Sequence, residues 1–123
     1  MSAMTAALDA VAACFQLSPP RTRDSDHLAL SIDGVGRLHL ERNGENVLLY
    51  LAKDIDVGAD RAAVQTRALD AVHFHRRHSR DVQVASRGDA LVFITRLESS
   101  EIDLHAMEAT IDLLSRLHEE ARG

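Results

Sequence analysis

Cysteine occurs once in the 123 residues, proline twice and tryptophan never, and aromatic residues make up 3% of the chain. One thiol, Cys14, cannot form an intramolecular disulfide, which excludes the stapled scaffolds of small secreted domains. Within an apolar helical stretch it reads as a small buried hydrophobe. With one Tyr and no Trp, the core must be filled by Leu, Val, Ile and Ala. No apolar run approaches the roughly 20 residues that cross a bilayer. The opening Met1-Ser2-Ala3-Met4-Thr5 has no basic region and is soon followed by Asp9, unlike a signal peptide. A cytoplasmic protein is expected. Basic charge is also scarce: the net charge is −5. That argues against nucleic acid, whose phosphates require a field of Lys and Arg, and against an anionic membrane surface.

Reactive chemistry is missing too. His73, His75 and His78, with Arg76, Arg77 and Arg80, form the one dense cluster. Two of its histidines lie a helical turn apart, but no third ligand of fixed spacing follows and the arginines repel a cation, so no metal is expected. Asp9, Asp26, His27, His39 and Asp70 have nothing local to hold them in acid–base geometry. Arg87-Gly88-Asp89 reads as a turn between strands. Gly34-Val35-Gly36 lacks the strand–helix setting of a phosphate loop. No catalytic residue and no cofactor is expected, and the chain does not read as an enzyme.

What is present is a full set of folding signals. Met4, Leu8, Val11 and Phe15 form one stripe of a helix from Ser2 to Leu17, stopped by Pro19 and Pro20. Leu28, Leu30 and Ile32 alternate with polar or small residues as in a half-buried strand. A second strand spans Arg37 to Arg42, and Asn43-Gly44 marks a tight hairpin. In the third strand, Val47 to Ala52, apolar residues occupy both faces: Val47, Leu49 and Leu51 on one, Leu48, Tyr50 and Ala52 on the other. Such a strand is central, or one face meets something outside the monomer. Asp60 caps a second helix running to His78. Strands follow around Val82 and Val84 and from Leu91 to Leu97. A last helix starting at Ser99 to Asp103 carries Leu104, Met107, Ile111, Leu114 and Leu117 on one face. The chain is expected to be one α+β domain over residues 1–123, of order αβββαββα, with a mainly antiparallel sheet.

The second helix is apolar on more than one side. Val64, Ala68, Ala71 and Val72 cluster, while Leu69 lies off one way and Ala63 and Phe74 the other. One sheet covers only one side of a helix, so this points to a homodimer built on it.

The element order, the acidic balance, the small size and this helix together resemble the class I (Tir-chaperone-like) chaperones of bacterial type III secretion. The segment Gly36 to Leu51, two short strands around a turn with the second rich in leucine, is the best local match. The resemblance implies a homodimer joined through the second helix and the strand after it. It also implies a client, the N-terminal segment of a secreted effector, bound extended along strand edges and in grooves between the first helix and the sheet. Leu8, Val11, Phe15, Leu38, Leu40, Leu49 and Leu51 are the client-binding candidates. Val64, Ala68, Ala71, Val72, His75, Val82 and Val84 are the dimer candidates, with His75 partly buried in the seam. The alternative is a small dimeric α+β module that binds a ligand or regulates a partner, and a weaker third is a hydrolase. A deep pocket with convergent polar groups would favour those two.

Overall fold

Period-two alternation organises the middle of the chain into strands and period-3.6 patterning its two ends into helices. A computed structural model describes residues 2–17, 26–75 and 81–123, save for the side chains at positions 74 and 75. The elements are α1 (Ala3–Cys14), β1 (His27–Ile32), β2 (Gly36–Asn43), β3 (Asn46–Asp54), α2 (Arg61–His75), β4 (Val82–Arg87), β5 (Ala90–Leu97) and α3 (Leu104–Arg122). This is the expected αβββαββα order. The expected extension of α2 to His78 falls outside the described residues.

The strands form one antiparallel sheet in the order β1-β2-β3-β5-β4. β3 is the central strand, as its two apolar faces require. Leu38 pairs with Leu51 and Leu40 with Leu49 on one side of β3, and Leu49 with Thr95 and Leu51 with Phe93 on the other. These residues point to the face that the helices cover. There Met4, Leu8 and Val11 of α1 and Met107, Leu114 and Leu117 of α3 join Val47, Leu49, Leu51 and Phe93 in a single core. Cys14 is half-buried against it. Burial first, and the nearby Glu108 carboxylate second, push its thiol pKa up, so it remains an unreactive thiol.

Local chemistry sets the element ends. Ser2, Asp60 and Asp103 cap the three helices by accepting from the backbone N–H of Thr5, Ala63 and Ala106 at 3.1, 3.2 and 2.7 Å. α1 stops before the prolines are reached. Gln16 takes a left-handed conformation (φ 54°), and Leu17 N–H reaches back to the Ala12 carbonyl at 2.8 Å, a Schellman-type end. The last helix also starts later than the sequence suggests. Ser99–Glu101 is a separate 3₁₀ turn, and extended Asp103 (φ −145°, ψ 177°) resets the chain for α3. At the other end of α3, Arg67 of α2 donates to the carbonyls of Ala121 (2.8 Å) and Arg122 (3.1 Å). It thereby places a cation on the negative pole of the helix.

His118 ties α3 to the central strand. Its ring is 6% exposed and lies edge-on to Phe93, with centroids 4.7 Å apart. Its Nε2 sits 2.8 Å from the Leu51 carbonyl oxygen, so the N–H is on that nitrogen. Burial lowers the pKa of this imidazole, outweighing the bond to Leu51. The unfolded chain therefore binds a proton that the folded one refuses as pH falls through about 6.5. Stability should be full above that value and decline below it. The urea midpoint is expected to be lower at about pH 5.5 than at about pH 7.5, and His118→Gln to remove part of that difference. An unaltered pH response in the variant would show that the ring protonates freely within the fold.

Candidate functional site

The three helices lie on one face of the sheet, and the other face carries its own apolar cluster. Ala52, Ala90 and Val92 are 5%, 7% and 9% exposed, with Tyr50 and Ile94 packed on them, and no helical residue takes part. Among the described residues no helix packs on this floor. The register gives the surface its order. Leu48 lies between Glu41 and Arg96, Tyr50 between His39 and Ile94, and Ala52 between Arg37 and Val92. β4 adds Gln83 beside Ile94, Ala85 beside Val92 and Arg87 beside Ala90. The result is a cleft of about 650 Å³ over Tyr50, Ala52, Val92 and Ile94. Past Ile94 it continues into a second hollow of about 530 Å³ reaching Leu48, Asp81 and Glu98.

The polar groups on one wall hold one another. Tyr50 donates its phenol to Glu41 at 2.5 Å. His39 Nδ1 is 3.3 Å from His27 Nε2, and the His39 ring stands edge-on to Tyr50 at 6.3 Å. Burial, then the neighbouring His27, Arg37 and Arg87, lower the His39 pKa, which keeps that imidazole neutral near pH 7. Arg37 pairs with Asp54 at 3.0 Å. Nothing in this set forms a nucleophile–base pair. Among the described residues no group of three or more His, Cys, Asp or Glu could hold a metal ion. What the arrangement can do is bury apolar side chains of a partner inside a polar rim.

The residues expected from sequence fall elsewhere. Leu8, Val11, Leu38, Leu40, Leu49 and Leu51 are at most 3% exposed and belong to the monomer's interior. Only Phe15, half-buried at the end of α1, keeps accessible surface among the seven. On the α2 side, Val64, Ala68, Ala71 and Val82 are likewise buried within the monomer, while Val72 and Val84 are half-buried. The His75 side chain lies outside the described residues, as do Arg76, Arg77, His78 and Arg80. α2 instead presents Leu69, 60% exposed. The open-face residues escaped notice because Ala52, Ala85, Ala90 and Val92 are small. The one available signal was the second apolar face of β3.

The family model of "Type III secretory system chaperone SycN" matches residues 9–122. Among curated proteins no sequence match is found. Solved structures share the fold. A chain of the ExsC-ExsE complex is 18% identical with a TM-score of 0.71, covering 99% of this chain and 95% of that one. A chain of the heterodimeric ExoU-SpcU complex from the type III secretion system of Pseudomonas aeruginosa is 17% identical (TM-score 0.64, 94% and 93% covered). A chain of the HopA1-SchA chaperone–effector complex is 12% identical (TM-score 0.64, 95% and 91% covered). Among the described residues no helix is long and apolar enough to cross a membrane.

Tyr50 offers a direct probe of the open face, because it is the only tyrosine. Burial, then the hydrogen bond to Glu41 and its charge, push its pKa up to about 12. An alkaline absorbance titration of the folded protein should report one phenol with that midpoint, and Glu41→Gln should bring it down. A wild-type midpoint at the ordinary value of about 10, with the fold intact by circular dichroism, would show that the pair is not formed.

Proposed function

The chain belongs to the SycN family of type III secretory system chaperones, and from that premise we propose that it binds the N-terminal segment of a cognate secreted effector and keeps it competent for export. The whole chain acts as one domain in the cytoplasm, by binding alone and without hydrolysis or cofactor. The observation that carries this reading is the uncovered apolar floor of the sheet: Ala52, Ala90, Val92, Tyr50 and Ile94, with every helix on the opposite side. A client segment laid over that floor buries its own apolar side chains there, and among the described residues β1 and β4 are edge strands to which a further strand could add. Phe15, at the end of α1, is the remaining client contact from the seven candidates. The six interior residues support the site from behind.

The homodimer belongs to the same proposal. Val64, Ala68 and Ala71 pack within the monomer, so the seam forms on the outward side of α2, around Leu69, with half-buried Val72 beside it. A large exposed apolar side chain flanked by Thr66 and His73 suits a two-fold contact between identical helices.

Two variants test these assignments. Ile94→Lys places a charge on the client floor, where desolvation is costly. It should weaken capture of the co-expressed effector at least about tenfold while leaving the melting curve nearly unchanged. Leu49→Lys, by contrast, should unfold the domain. Full capture by Ile94→Lys would remove the open face as the client's seat. For the seam, light scattering should report about twice 13.5 kDa for the wild type and a single copy for Leu69→Glu. A wild type that scatters as a monomer at micromolar concentration would eliminate the dimer.

A further inference from the structure

The open face differs chemically between its two ends, and the difference deepens the client reading on which this inference rests. At one end three neighbouring strands each contribute an alanine, Ala52 on β3, Ala90 on β5 and Ala85 on β4, with Val92 between them. Small side chains at adjacent positions leave the cleft of about 650 Å³, within the roughly 300–1,000 Å³ of ordinary binding clefts. The protein supplies room here and leaves the bulk to whatever enters.

The charges at this end run against the rest of the chain. The net charge of the whole is −5, yet Arg37 and Arg87 line the cleft beside an uncharged His39, and its one lining carboxylate, Glu41, accepts from Tyr50. Asp54 is taken by Arg37. Arg87 makes no hydrogen bond or ion pair among the described residues. It stands on the edge strand, directly opposite Ala90. The far hollow is acidic instead, with Asp81, Glu98 and Glu101 around Arg96. Asp81, immediately before β4, and Arg87 at its end are six positions apart, about 20 Å of extended chain. Among the described lining residues an extended segment on this face therefore passes from a basic end to an acidic one, which favours one direction of binding.

We propose that the alanine-floored end of the open face is a specificity pocket for a large apolar client side chain flanked by an acidic residue, whose carboxylate pairs with Arg87. The apolar side chain fills the space above Ala52, Ala85 and Val92. The carboxylate supplies the countercharge that this end lacks. A client with a basic residue in that position meets Arg87 and Arg37 as like charges and is rejected.

A displayed library of short random peptides, selected on the purified full-length protein, tests this without knowledge of the natural client. Wild type should enrich peptides with Asp or Glu beside Leu, Ile, Phe or Met. Arg87→Glu should enrich Lys or Arg in place of the acid and bind the wild-type-selected peptides at least about tenfold more weakly. Ala85→Trp fills the pocket from an exposed edge position and should abolish binding of the same peptides. Ala85→Leu replaces it should the tryptophan lower the melting midpoint. If the filled variant binds as wild type does, the open face is not the seat, and the client reading of this face falls together with the pocket. If filling the pocket blocks binding but Arg87→Glu selects the same sequences as wild type, the seat stands and the charge rule is overturned. A wild-type selection with no acidic preference overturns it equally.

Discussion

Everything in this domain is hung on the central strand. β3 pairs with β2 from Asn46 to Ala52 and with β5 from Val47 to Asp54, so its register sets which residues of both neighbours face inward. Val47, Leu49 and Leu51 are fully buried because two helices close over that side. A slip of one residue would exchange them for Leu48, Tyr50 and Ala52 and turn a leucine core into a mixed surface. His118 adds a directional tie between α3 and the Leu51 carbonyl, where a purely apolar contact would allow the helix to slide. Arg67, capping α3 from α2, fixes the second helix to the third in the same way.

A consequence is that the sheet has one face too many. Five strands at about 4.8 Å spacing span some 24 Å, and helices about 10 Å across cover that width only if they share a side. All three do. The remaining face is kept compatible with water by long polar side chains on the flanking strands, His39, Glu41, Arg37 and Arg87, which line the same cleft as its small residues. A bare leucine sheet would aggregate through its surface and edges. An alanine floor under a charged rim does not, yet it still offers apolar area to a partner of the right shape.

The element order and the central place of β3 were legible in the sequence because alternation and turn residues are local signals. The hairpin turn came out one residue along: Gly44 carries the positive φ (62°), whereas Asn43 ends its strand opposite Asn46. The end of α1 was misplaced because nothing about Gln16 announces a left-handed residue, whereas the prolines that begin three positions on are conspicuous. The site was harder for a different reason. Leu38, Leu40, Leu49 and Leu51 look like the best grips for a partner because they are the largest apolar residues. In a domain of this size those residues are what the core requires. The same holds on α2, where the most apolar stripe packs inward and Leu69, on the weaker side, is left outside. The face that remains after the core is filled is not marked by strong hydrophobicity, so no composition rule finds it.

That division of labour bears on how a chain with so few aromatic residues can recognise a partner. Aromatic anchors dominate many interfaces because they carry large area on few rotatable bonds. In the proposed seating the chaperone provides the cavity, and the anchors come from the segment that enters. Burying an apolar side chain over Ala52 and Val92 gains area without demanding a fixed partner shape, so the apolar contribution discriminates weakly among large residues. In the proposed pocket discrimination then falls to the rim, where Arg87 at the end of β4 repels a segment with a basic residue in place of the acidic one. Affinity arising from the client's own bulk and selectivity arising from the chaperone's charges is an arrangement suited to holding one unfolded segment without locking it into a rigid complex.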